Sequence, residues 1–349
     1  LAGGSEGYTV PKESEQTIFI IVLGGDMTQK EATPRSRKTL RSRKRHQYGP
    51  AALIGALLGG LVAAPLALLP AKWACLFARG LAVPAWWLAT RRRRVTLSNF
   101  RYAYGHLWSE KKIRAVALES WKRVAVSAVE ALQIRKWLAD PQFHDRIVWS
   151  GPWEELESRH RDGESFLLVS GHLGPFEMVL PTLVHKGWRI GLLSRRIKNG
   201  YVHAAMNALR AGTVPDILDP AGALPEMGRA LRSGTCLALL VDQNNRDGVY
   251  VPFMGRDAGT IPSIGVLTRR YRVPVIYLHA RRVEDGRKYR LTCEIADLPE
   301  GENIRSHVDL VTREVSDRIE NWVREVPSDW LWLHQRWKHR PDGSREKLI

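Results

Sequence analysis

His172 and Glu177 stand five residues apart in Ser170-Gly171-His172-Leu173-Gly174-Pro175-Phe176-Glu177. A histidine and a carboxylate at hydrogen-bond reach can move a proton near neutral pH. The preceding run from Phe166 to Gly171 has the pattern of a buried strand ending in small residues, after which His172 opens a turn into a helix. Ligands of open α/β sheets sit at the carboxyl ends of strands, so His172 falls where a catalytic group is expected. On a regular helix the two side chains would point about 140° apart. With His172 in the loop ahead of the first turn, the carboxylate reaches back to the imidazole, fixes its tautomer and stabilises the imidazolium. The other ring nitrogen is then left to remove a proton from an attacking hydroxyl. A loop histidine that merely caps a helix satisfies the same spacing.

The elements that would position this pair alternate in type. Short β-rich runs at 165–169, 189–193, 236–241, 274–280 and 289–295 alternate with helical patterns at 177–185, 202–211, 224–232 and 308–326. Such alternation predicts an α/β fold, a sheet covered by helices. Residues 108–140 carry apolar positions at helical spacing, predicting one or two amphipathic helices that Pro141 ends. The 349 residues suffice for two average domains or one larger domain with appended segments.

Charge and hydropathy place a second kind of chemistry upstream. Lys and Arg number 53 against 36 Asp and Glu, a formal charge of +17, which suits nucleic acid, anionic lipid or an acidic protein as partner. Eight of the basic residues lie between Thr28 and Gln47 with one acid, Glu31, and a second knot runs from Arg91 to Arg94. Between these clusters, residues 50–70 are uncharged and of a length that crosses a hydrocarbon layer of ~30 Å. Residues 73–89, which include Arg79 and Pro84 and end in Trp86-Trp87, suit an interfacial helix. Basic clusters on both sides argue against one clean crossing and favour a hairpin or a monotopic insertion of the region. Met27 is the first methionine and directly precedes the basic block, so residues 1–27 are expected to be a non-native or disordered extension. The cysteines, Cys75, Cys236 and Cys293, are far apart with no ligand spacing, and neither a disulfide framework nor a metal site is expected.

His172-x-x-x-x-Glu177 after a strand resembles the His-x4-acid motif of the glycerolipid acyltransferase superfamily. Val241-Asp242-Gln243 and Gly248-Val249-Tyr250-Val251-Pro252-Phe253-Met254-Gly255 are similar to the Asp-Gln and Gly-Val-x-Val-Pro-Phe-x-Gly region of the lipid A biosynthesis acyltransferases, the lauroyl and myristoyl transferases. Pro327-Ser-Asp-Trp330-Leu-Trp332-Leu-His334-Gln-Arg336-Trp337-Lys338 resembles that family's closing signature. The likeness runs in family order from about residue 50 to 341.

The resemblance implies a glycerolipid-acyltransferase-like mixed sheet flanked by helices, with an N-terminal membrane-inserted helical region. It also implies an O-acyltransferase of the inner membrane, its catalytic domain facing the cytoplasm. The acyl donor would be an acyl carrier protein thioester, the acceptor a hydroxyl of a lipid A precursor or related glycolipid, and no cofactor would be needed. A phosphatidylinositol mannoside or lysophosphatidate is the alternative acceptor. His172 would be the base and Glu177 its orienter. Arg195 falls where the family has a Tyr-Arg-Pro segment suited to phosphate, although Ser194 and Arg196 replace the Tyr and Pro. Asp242 and Gln243 would line the site. The Trp and basic residues of the closing segment would serve the membrane interface. The organisation expected is an extension at 1–27, a basic juxtamembrane segment at 28–47, a membrane-inserted or interfacial region at 48–94, a catalytic domain at 95–341 and a tail at 342–349. A membrane-tethered nucleic-acid-binding protein would fit the charge alone, but it explains neither the apolar segment nor the ordered motifs, and nucleic acid is not an expected partner.

Overall fold

The structure is a computed structural model and describes residues 48–193, 199–210, 213, 216–218 and 224–349. The extension at 1–27, the basic segment at 28–47 and Arg195 lie outside the described residues. The chain begins with four helices, α1 (Pro50–Leu68), α2 (Ala71–Leu88), α3 (Thr90–Tyr104) and α4 (Glu110–Leu138), and a short α5 (Pro141–His144). There follow β1 (Ile147–Ser150), α6 (Trp153–Arg161), β2 (Leu167–Ser170), α7 (Val179–His185), β3 (Ile190–Leu193), α8 (Gly200–Arg210) and β4 (Asp216–Leu218). The second half runs α9 (Leu224–Arg232), β5 (Cys236–Leu240), β6 (Val249–Phe253), β7 (Arg256–Thr260), α10 (Ser263–Tyr271), β8 (Val275–Val283), β9 (Lys288–Ile295) and α11 (Ile304–Glu325). Local chemistry sets the boundaries: the Ser109 hydroxyl caps α4 by accepting from the Lys112 amide, and Asn303 and Ser306 form a reciprocal capping box on α11.

Seven strands form one mixed sheet in the order β1-β9-β8-β2-β5-β3-β4, and β6 and β7 form a separate hairpin. All pairs in the large sheet are parallel except β8 with β9. Alternate residues bury on opposite faces. Leu167, Val169, Leu237, Leu239, Val275 and Tyr277 join α11 and Phe100 of α3 in one core layer. Their neighbours Phe166, Leu168, Cys236, Ala238, Ile276 and Leu278 pack with α7 and Trp188 in the other. A sheet covered on both faces needs unbroken apolar strands, which is why these runs stand out in the sequence.

The expected α/β fold is present, and the amphipathic pattern at 108–140 is one continuous helix, α4. One expectation is corrected. No helix among the described residues is long and apolar enough to cross a membrane. The uncharged segment of crossing length is α1, which contains Pro65 and stops at Leu68. Gln133 of α4 donates to the carbonyls of Leu66 and Leu69, and Leu66, Ala74, Ala78 and Val129 form a small core. An Arg79–Glu119 ion pair at 3.0 Å also ties α2 to α4. These ties lay α1 and α2 along the catalytic domain, while Leu57, Leu61, Leu68, Trp73, Phe77 and Trp87 remain exposed.

Candidate active site

β5 is inserted between β2 and β3, and its register on β2 sets Ser170 opposite Leu240. Two residues further along each strand come His172 and Asp242, so parallel pairing delivers them side by side at the carboxyl edge of the sheet. The His172 Nδ1 lies 2.7 Å from Asp242 Oδ1, and the His172 backbone N–H donates to Asp242 Oδ2 at 2.8 Å. Trp330 Nε1–H gives Oδ2 a further bond at 2.7 Å. A fully ionised carboxylate is an acceptor only, so Nδ1 carries a proton, and in the neutral ring Nε2 presents a lone pair. Gln243 Nε2 lies 3.2 Å from that nitrogen.

The loop holding His172 is fastened from several sides. Leu331 N–H donates to the His172 carbonyl at 3.1 Å, Gly174 N–H to the Asp329 carbonyl at 2.9 Å, and Ser127 Oγ to the Gly174 carbonyl at 2.8 Å. Two glycines are required there. A β-carbon at Gly171 would press on Leu173 and Ile319 and on the Asp242 carboxylate. Gly174 has φ +54°, with the Ala280 carbonyl oxygen 2.8 Å from where its β-carbon would stand. Behind the loop, Arg282 pairs with the buried Glu130 at 2.6 Å and donates to Ser127, while Arg123 reaches Asp329 at 2.7 Å.

Burial alone would raise the Asp242 carboxyl, but the facing His172 and the bonds from Trp330 and the His172 amide outweigh it. They hold the group well below the usual carboxylate range. His334, whose Nε2 accepts from the Asn244 N–H at 2.8 Å, is pulled down to about 4 by burial and stays neutral. Arg336 is buried among carbonyls: it donates to Gln243 O at 3.2 Å, Gly259 O at 2.9 Å and Thr260 Oγ1 at 2.6 Å. Burial lowers its pKa to about 10, which leaves it protonated at neutral pH.

Of the residues singled out by sequence, the structure brings His172, Asp242 and Gln243 together. Glu177 sits half-buried in a 3₁₀ turn, Phe176–Met178, on the His172 loop. Asp242, which the resemblance makes a lining residue, presents its carboxylate at Nδ1, the place the spacing gives to Glu177. Trp330, Trp332, Arg336 and Trp337 are all buried, not interfacial, and two of them build the site. The alternation Trp-Leu-Trp was the available signal, since it fits packing. No group of three or more His, Cys, Asp or Glu among the described residues is placed to hold a metal ion.

A family model described as bacterial lipid A biosynthesis acyltransferase matches residues 43–339. The chain belongs to that family. Comparison with curated proteins finds no match. The family's extent takes in α1 and α2 as well as the sheet, so the apolar hairpin and the His172 site are parts of one acyltransferase.

Proposed function

We propose that this acyltransferase moves a fatty acyl chain from an acyl carrier protein thioester to a hydroxyl of a lipid A precursor, with His172 as general base. The observation that carries the reading is the 2.7 Å contact of Asp242 Oδ1 with Nδ1, which leaves Nε2 basic. The acceptor oxygen bonds to the thioester carbonyl carbon while its proton passes to Nε2. The carbon–sulfur bond then breaks, and the thiolate takes that proton from the imidazolium. Asp242 compensates the positive charge on the ring in between. Glu177, on the same loop, helps orient His172, and Arg195 contacts a phosphate of the acceptor. No cofactor takes part.

The surface suits these partners. No Asp or Glu occurs between Glu31 and Glu110, while exposed apolar side chains of α1 and α2 run into Arg91, Arg92 and Arg94. An apolar face rimmed by cations lies flat in an anionic leaflet, so the enzyme sits on the cytoplasmic face of the inner membrane as a monotopic protein. Acyl carrier proteins are acidic, and the basic surface speeds their encounter.

The test is an assay of the membrane-bound enzyme with acyl carrier protein thioesters and a panel of lipid A precursor, lysophosphatidate and mannoside acceptors. Transfer to the lipid A precursor is expected, with His172→Ala at least about 10³-fold slower. Undiminished transfer by His172→Ala would sink the mechanism, and preference for another acceptor would redirect the substrate assignment.

A further inference from the structure

The geometry points to Gln243 as a catalytic group of this reaction: its carboxamide caps the general base in the resting enzyme and becomes a hydrogen-bond donor to the reacting oxygens once substrate displaces it. The inference rests on the acyl-transfer reading above. Asp242 accepts the Nδ1–H, so Nε2 of the neutral ring can only accept, and the group facing it at 3.2 Å is the Gln243 amide nitrogen. A base already bonded to a donor cannot take a proton from a hydroxyl. The acceptor hydroxyl must therefore replace the amide at Nε2, which leaves the –NH₂ beside the entering oxygen and the thioester carbonyl. Negative charge develops on that carbonyl oxygen as the oxygen–carbon bond forms, and a fixed amide donor there lowers the barrier.

The displaced amide stays in place because its backbone is held. Arg336 Nη1 clamps the Gln243 carbonyl to that of Gly259 on β7, Asn244 N–H is tied to His334, and Asn244 Oδ1 lies 2.7 Å from His339 Nδ1. Arg336 is thus a positioning residue, and its charge lies on carbonyls and a hydroxyl.

The titratable groups around His172 are Asp242 from the end of β5, Glu177 on its own loop, and His334 and Arg336 of the closing segment. Gln243 donates to the neutral ring, so its removal shifts His172 toward the protonated form. Gln243→Met keeps size and loses the donor, and it is expected to lower kcat about 100-fold with KM for the acceptor unchanged or lower. It also moves the acid limb of the kcat/KM profile to higher pH. Gln243→Glu, which puts a carboxylate at Nε2, moves that limb further. Full kcat in Gln243→Met, or a loss of kcat with the acid limb unmoved, overturns the role. Full activity in Gln243→Met with an inactive His172→Ala rejects this inference alone, whereas an active His172→Ala rejects the reading beneath it.

Discussion

The knot at the ends of β2 and β5 and the outer face of α1 and α2 treat their side chains in opposite ways. In the knot every polar atom of Asp242 is matched: one carboxylate accepts from a ring nitrogen, a backbone amide and an indole, while 3% of the residue remains accessible. On the hairpin, Leu61 at 72% and Leu68 at 81% exposure stand largely clear of the described residues. A satisfied knot tolerates no exchange of partners, whereas exposed apolar side chains are open to a further partner.

The strongest test of that contrast is Asp242→Asn, which keeps shape but permits the wrong imidazole tautomer. Turnover is expected to fall roughly 10³-fold with the fold intact by circular dichroism. Glu177→Gln, which leaves the Nδ1 partner in place, should cost less, and a larger loss there would return the orienting role to Glu177. Next comes the ion pair behind the loop. Arg282→Met strands Glu130, 1% accessible, and should lower unfolding stability by about 3–5 kcal/mol in urea titration. Restoration by the added change Glu130→Met would show that the stranded charge, not lost packing, was the cause.

Acid should loosen the knot in a defined window. His334 has its pKa depressed from 6.5 to about 4 in the fold, so the unfolded chain binds the extra proton first. Its contribution is complete above about pH 6.5 and is lost as pH falls toward 4, up to about 3 kcal/mol. Asp242, also depressed, adds a loss below its ordinary range near 3.8. Thermal melts between pH 7 and 4 that show flat stability would contradict the burial of His334. The smallest effect on stability belongs to the hairpin. Leu57→Glu with Leu61→Glu and Phe77→Glu should leave the fold within about 0.5 kcal/mol per site yet strip the enzyme from anionic vesicles in flotation. Retained flotation would mean that another surface holds the lipid.

The two regions were also unequally legible. Strands β2, β3, β5 and the first half of β8 are apolar runs because both sheet faces are covered, β9 alternates, and the helices between them show in their periodicity. Their order in the sheet does not: that β5 separates β2 from β3 is a matter of which edges meet, and it alone makes Asp242 the neighbour of His172. A carboxylate five residues away drew attention that a carboxylate seventy residues away could not. For α1, composition marks an uncharged apolar segment, but the bonds from Gln133 to Leu66 and Leu69 that tie it to α4 leave no mark on local hydropathy. The hairpin of β6 and β7 was seen as a motif before it was seen as structure.

The insertion of β5 between β2 and β3 also has a meaning in time. Strands next to each other along the chain cannot pair first and stay paired, because the space between them must remain open for a strand made some forty residues later. The site then still waits for Trp330 and Arg336, far down the chain, to close over Asp242 and Gln243. Such long loops close slowly. While synthesis proceeds, α1 and α2 are therefore made long before the site can close, and a chain interrupted short of Arg336 carries their exposed apolar side chains with the surroundings of His172 incomplete.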